Sequence, residues 1–256
     1  MRNCLFLCWI ALAAHANEHP PRYEGIGIYG KPTSEIANST INVWMYLPHD
    51  PIIVEAGGFE GENAKEVAER YPYGRVIVFE PNPRAFKTLL QNVEGLPNVT
   101  AINAALHSVR GMAPLHLNHG VYGNDIRLEP WSSLLDGFCF GGDVFNCFKG
   151  PSVEVSCVVL DEWCKENQID HIDFLHLDTE GSELQILKSS LEILKTVAVV
   201  HTKTNLSQFR KGTTQYRELK QFLEEHGFAL ISHWYLEGLQ GEATFVQRRI
   251  YDSIFN

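Results

Sequence analysis

The 256-residue chain has no run of Lys or Arg longer than two, and 31 acidic residues outweigh 21 basic ones, for a formal net charge of −10. A surface that tracks phosphates needs clustered positive charge, so nucleic acid is set aside as a partner. No Cys-x-x-Cys pair occurs, which removes the usual spacing of a structural zinc site. Internal repeats and low-complexity tracts are also missing, which excludes a repeat array. The apolar stretch from Cys4 to Ala14 is roughly half the ~20 residues that a membrane-spanning helix requires. What is present is an ordinary globular composition, 45% hydrophobic and 20% charged. It is enough for one large domain with a sizeable core.

The N-terminus, "MRNCLFLCWIALAAHANEHPP", combines Arg2, a short apolar core and Ala14-His15-Ala16. This pattern predicts a signal peptide over residues 1–16, cleaved after Ala16; the competing reading is a buried N-terminal helix. Export then implies a secreted, periplasmic or secretory-pathway protein with no stable membrane span. Without a genuine leader the protein is expected in the cytoplasm. Loss of Cys4 and Cys8 would leave four cysteines. Cys139 and Cys147 flank "CFGGDVFNC" and are expected to close that loop, whereas Cys157 and Cys164 read as core positions. In a eukaryotic host, Asn38, Asn98 and Asn205 are glycosylation acceptors.

Residues 17–50, rich in Pro, Gly and polar groups, read as an arm packing on a domain over 51–256. From there, strand-length apolar runs occur at 51–56, 75–80, 99–103, 172–178, 196–202, 228–234 and 243–248. Helical stretches are predicted at 62–70, 83–94, 160–168, 182–190 and 213–226. Such alternation implies βαβ units and a mostly parallel sheet. The last two strands are separated by only "YLEGLQGE", too little for a helical crossover, so they are expected to pair antiparallel. Five parallel strands and a terminal antiparallel pair make a class I methyltransferase sheet. Residues 104–158 form a long irregular insertion of the kind that shapes binding sites.

Ligands of open parallel sheets sit beyond the carboxyl ends of the strands. There "IVEAGGFEG" sets Glu55 beside a loose loop of Gly57, Gly58 and Gly61. Glu55, Glu60 and Glu62 oppose a pyrophosphate, which disfavours NAD, but suit S-adenosylmethionine, a cation at both its sulfonium and α-ammonium. Glu80 ends "VIVFE", 23 residues after Gly57, where a carboxylate accepts ribose hydroxyls. Asn103 and Ala104 are expected at the adenine rim.

Taken together, these segments resemble the FkbM family of S-adenosylmethionine-dependent methyltransferases over roughly residues 50–248. The likeness rests on "VEAGGFEG", "VIVFEPNP", "NVTAINAALHSVRG", "VVLDEW", "IDHIDFLHLDTEGSELQILK" and "YRELKQFLEEHGFALI". It implies a Rossmann-like fold, S-adenosylmethionine as donor, and O-methylation of a hydroxyl on a sugar, glycan or small metabolite. The chain departs from the family at Phe59, where an Ala-Asn or Ala-x pair commonly follows the first glycine. It departs again at Lys203, where the fifth strand often ends in an acid.

Methyl transfer needs an aligned acceptor oxygen and a group to take its proton. Asp178, ending the fourth strand, is the first candidate for base or acceptor anchor. Glu180 and His201 are further candidates, with His176 also near a strand end. Asp178 and Glu180 lack the supporting ligands of a metal site, and no metal is expected. Ser132, Ser133, Trp131, Phe138, Phe140 and Phe145 are candidates to shape the cofactor or acceptor pocket. Phe59, Lys203 and the leader favour a competing reading, an exported binding or interaction protein that keeps the fold without turnover; Glu55, Glu80 and Asp178 favour an enzyme.

Overall fold

The computed structural model describes residues 43–117, 119–122, 125–128, 131–137, 151–208, 210–236 and 240–255. The expected leader, most of the arm, Asn38, the Cys139–Cys147 loop and Phe138, Phe140 and Phe145 lie outside these residues.

The core is a seven-stranded sheet. Its strands are β1 (Ile52–Ala56), β2 (Arg75–Phe79), β3 (Val99–Ile102), β9 (Phe174–Leu177), β10 (Val199–Asn205), β11 (Phe228–Leu236) and β12 (Gln240–Gln247). Their order is β11-β12-β10-β9-β1-β2-β3. The five strands from β10 to β3 run parallel, β12 returns antiparallel on β10, and β11 pairs antiparallel with β12. This is the Rossmann-like, mostly parallel sheet with a terminal antiparallel pair that the strand spacing predicted. Helices cover both faces, which is why β1, β2 and β9 are buried nearly throughout.

Alternation along the strands divides the core into two clusters. Val54, Ile77, Leu175, Val200 and Phe245 face one layer of helices. Ile53, Val76, Phe174, Val199 and Val246 face the other. The second layer includes α1 (Glu62–Arg70) and α2 (Pro83–Asn92), through Val67 and Leu89. Pro83 supplies a preset φ in the first turn of α2, and Asn82 caps it by accepting the Arg84 N–H at 3.0 Å. The described end of the arm packs here too: Trp44 lies 5.8 Å from the Tyr71 ring and 6.0 Å from Phe174, with Arg70 4.9 Å above it.

Two helical expectations change. The stretch at 182–190 ends sooner, as α4 (Glu183–Lys188), and α5 (Leu191–Leu194) follows as a separate turn. Ser189 and Ser190 interrupt it; Ser189 Oγ donates to the Ile186 carbonyl at 2.9 Å, the local bonding by which serine competes with a helix. The stretch at 213–226 starts later, as α6 (Tyr216–Glu225), because the Thr213 hydroxyl donates to Arg210 O at 2.7 Å and makes a turn instead. The insertion builds its own three-stranded sheet from β4 (Ala105–Leu106), β5 (Gly111–His116) and β8 (Ser152–Val158), in the order β4-β8-β5. A hairpin, β6 (His119–Tyr122) and β7 (Asp125–Leu128), branches from it. Helix α3 (Leu160–Glu166) then leads to β9. Cys157 and Cys164 are free and buried, as core thiols. Burial pushes the Cys164 thiol up to about 12.

Candidate functional site

A cavity of about 360 Å³ opens at the carboxyl ends of β2, β1, β9 and β10, within the size range of cofactor pockets. The chain turns away from each strand there and frees backbone and side chains for a ligand. Gly57, Gly58, Phe59, Glu80, Asp178, Glu180 and Lys203 line it from the sheet side. Ala105, Leu106, Leu115 and residues 131–134 of the insertion close the opposite wall.

The loop after β1 owes its glycines first to the protein's own packing. A Cβ on Gly57, at φ +87°, would meet the Asp178 carbonyl at 2.0 Å, and one on Gly58 would meet Val78 at 2.1 Å. Gly61 leaves the cavity altogether: it begins α1 at φ +82°, and its Cβ would meet Leu89 at 2.9 Å. Between them Phe59 adopts φ +46°, a left-handed conformation that costs a non-glycine residue about 1–2 kcal/mol. In that turn its N–H donates to Glu80 Oε2 at 2.7 Å.

Glu80 is thereby fixed from both sides, because the Asn82 N–H donates to Oε1 at 2.7 Å. Burial pushes its carboxyl up to about 7, against the two N–H donors that pull it down. Each oxygen has one N–H donor and a further lone pair, so a buried carboxylate in the cavity wall awaits hydroxyl donors. That suits the ribose of an adenosine ligand. The two residues expected at an adenine rim do not themselves line the cavity. Asn103 spends its amide on the Glu80 and Pro81 carbonyls, at 2.8 and 3.2 Å. Ala105 and Leu106, rather than Asn103 and Ala104, meet the cavity.

Two candidate side chains point elsewhere. Glu55 is 2% exposed and accepts from His176 Nδ1 at 3.3 Å, away from the cavity that its neighbours line. His201 lies next to His176 in register; its Nδ1 is 2.9 Å from Thr244 Oγ1 and its Nε2 2.9 Å from Glu242 Oε2. Glu55, His176, His201 and Thr244 thus form one buried row across four strands. Depth along the strands explains the correction: this row lies one register below the Ala56 and Leu177 ends of β1 and β9, and the residues two positions on, Gly57, Asp178 and Lys203, are the ones that reach the cavity. Burial lowers the His201 pKa, outweighing the Glu242 carboxylate, and both ring nitrogens are already committed.

Asp178 and Glu180 do reach the cavity, and their nearest charge is an ammonium. Lys203 Nζ lies 2.6 Å from Asp178 Oδ1 and also contacts Glu180 Oε1. Arg210 Nη1 donates to the other Glu180 oxygen at 3.0 Å, and its Nη2 donates to the Trp131 carbonyl at 2.5 Å. Burial opposes the charge on Glu180, but Lys203 and Arg210 outweigh it and hold the carboxyl below its usual range. Glu180 is therefore a structural anchor. Ser133, one of the expected wall residues, donates to the Glu180 carbonyl at 3.1 Å. Glu183 fixes the turn, accepting from Thr179 N, Thr179 Oγ1 and Gly181 N at 3.2, 3.2 and 3.0 Å.

Arg210 is not legible in the sequence, because "SQFRKGTT" has neither period nor motif. Lys203 stands out there only as a departure from the family pattern. A Lys two residues after His201 at a strand's carboxyl end was the available signal, since period two sends it to the next row of the same face.

The Methyltransferase FkbM domain profile matches residues 49–230. The 2-O-methyltransferase NoeI of Sinorhizobium fredii is 24% identical over 218 residues, covering 83% of this chain and 86% of that protein. Methyltransferase sdnD of Sordaria araneosa is 28% identical over 158 residues, covering 56% of this chain and 61% of its own. Among solved structures, Aeropyrum pernix fibrillarin with natively bound S-adenosyl-L-methionine is 12% identical, with a TM-score of 0.46 over 78% of this chain and 68% of that one.

Proposed function

The chain belongs to the FkbM methyltransferase family, and we propose that it moves the methyl group of S-adenosylmethionine to a hydroxyl oxygen of a sugar or small metabolite. One observation carries this reading: Glu80 and Asp178 flank the Gly57–Gly58 backbone in one cavity, so a hydroxyl-binding carboxylate and a proton-accepting one stand on either side of β1.

When bound, S-adenosylmethionine supplies an electrophilic methyl on a sulfonium. Glu80 would accept its ribose hydroxyls, Phe79, Ala105 and Leu106 would provide an apolar seat for its base, and Gly57 and Gly58 leave bare backbone for the rest of the ligand beside Asp178. With Oδ1 against Lys203, Asp178 would use Oδ2 to orient the acceptor hydroxyl and take its proton. Such a base contributes about 10²–10⁴-fold. Leu115, Trp131 and Leu134 exclude water from the far wall. The 2-O-methyltransferase relative supports oxygen as the acceptor atom.

Two measurements test this. Calorimetry of the full chain should give binding of S-adenosylmethionine in preference to NAD. Incubation with donor carrying a tritiated methyl, and a panel of free sugars and glycans, should yield an alkali-stable O-methyl ether. Preference for NAD would overturn the cofactor, and label recovered on nitrogen or carbon would overturn the acceptor atom.

A further inference from the structure

Lys203 sits where a cationic ligand would be expected to exclude it. Among the described residues lining the cavity it carries the one Lys or Arg charge, and its side chain is only 15% exposed. Burial works against that charge, but Asp178 and Glu180 outweigh it and hold the ammonium well above the usual lysine range. Lys203 is therefore an ammonium throughout the physiological range, placed beside the Asp178 carboxylate.

It is also held in place from behind. Glu180, itself at φ +57°, uses one oxygen for Lys203 and the other for Arg210. Arg210 is 1% exposed and reaches on to the Trp131 carbonyl, while its own backbone bridges to Gly137. The chain Trp131–Arg210–Glu180–Lys203–Asp178 thus joins the insertion wall to the candidate base, through charge-assisted hydrogen bonds as far as Lys203 and an ion pair from there to Asp178. Two carboxylates meet two cations along it.

We propose that Lys203 is a positioning and donor-discriminating residue: anchored through Glu180 and Arg210, it pins Asp178 Oδ1 and cancels its charge, and so sets how far the pocket prefers the sulfonium donor over its neutral thioether product. This rests on the reading that S-adenosylmethionine binds with its sulfonium toward Asp178. The consequence is chemical. Methyl transfer removes the ligand's sulfonium charge, so an unscreened Asp178 would hold donor strongly and product weakly. A screened one treats them more alike and presents one oriented oxygen to the acceptor.

The test is calorimetry of the full chain with S-adenosylmethionine and, separately, S-adenosylhomocysteine. Lys203→Met should raise the donor-to-product affinity ratio about tenfold, the scale expected for uncovering one unit charge a few ångströms from another. Lys203→Arg should leave the ratio within about twofold of wild type, because it keeps the charge. Lys203→Gln, which retains a donor without charge, should behave as Met does and serves where Met fails to fold. A purely structural lysine would weaken both ligands together and leave the ratio fixed. An unchanged ratio in either folded neutral variant, or an Arg variant that shifts as far as Met, overturns the proposal. Wild-type protein that binds neither ligand overturns the methyl-donor reading instead, and this inference with it.

Discussion

Glu80 is the residue whose chemistry the fold alters most directly. A solvated glutamate at a strand end would be ionised at any physiological pH, but here burial brings the carboxyl to about 7. Hydroxyl donors bind the ionised form better, because protonation converts one acceptor oxygen into a donor. Affinity for S-adenosylhomocysteine should therefore fall as pH is lowered through about 7 and level off above it. Glu80→Gln should lose that dependence, and Glu80→Ala should cost about 1.5–3 kcal/mol of binding, the range for hydrogen bonds to a charged acceptor. Calorimetry at several pH values checks both, and an unchanged affinity in Glu80→Ala would remove the ribose from this wall. Phe59 belongs to the same arrangement. Its side chain departs from the family's usual loop, but what the site takes from residue 59 is a backbone N–H. Any residue tolerating φ +46° supplies that.

At the scale of elements, the loop between β1 and α1 is a packing joint as much as a ligand cradle. Gly57→Ala would drive a Cβ into the Asp178 backbone carbonyl, which β1–β9 pairing prevents from moving aside. Gly212→Ala provides the control, because Gly212 has a similar φ of +85° and its Cβ would meet nothing nearer than 4.0 Å. The Gly212 variant should lose about 1 kcal/mol from left-handed strain alone. The Gly57 variant should lose several times more and weaken cofactor binding as well, because Asp178 moves with its carbonyl. Melting temperature and affinity on the two variants decide this; equal losses would mean that the turn is looser than the contact implies. Two of the three glycosylation motifs are also answered by their elements. Asn205 is 1% exposed on β10, and the Asn98 amide donates to the Ala68 and Tyr71 carbonyls at 3.1 and 3.0 Å. A glycan on either is incompatible with these contacts.

The whole molecule carries a pH signature through Glu183. This side chain is fully buried, and burial pushes its carboxyl from 4.5 up to about 7 against the N–H of Gly181. The folded state then holds a proton that the unfolded chain releases near 4.5. Its contribution to stability is fully present below 4.5 and is lost as pH rises through about 7. Glu183→Gln should remove that slope. Relative to wild type, the variant should gain on the order of 3 kcal/mol between pH 4.5 and pH 7. Urea unfolding at the two pH values measures the difference, and a pH-independent gap between the proteins would show that Glu183 does not titrate in this window.

Much of this molecule is set by local pattern. Continuous apolar runs of strand length, alternating with amphipathic helices and closed by glycine or proline, determine a parallel sheet, and a linker too short for a crossover determines its antiparallel end. The same reading found Gly57, Gly58, Phe59, Glu80 and Asp178, because strand ends and turns are visible in a linear chain. What the sequence does not reveal is that Glu55 and His201 lie one row below the cavity, since strand ends are blurred by a residue or two. Nor does it reveal that Glu180 belongs to Lys203 and Arg210, 23 and 30 residues away. A charge has no partner in a sequence; it acquires one when parallel strands bring distant turns to the same edge, where Glu180 is buried between two cations and Asp178 stays partly exposed to the cavity.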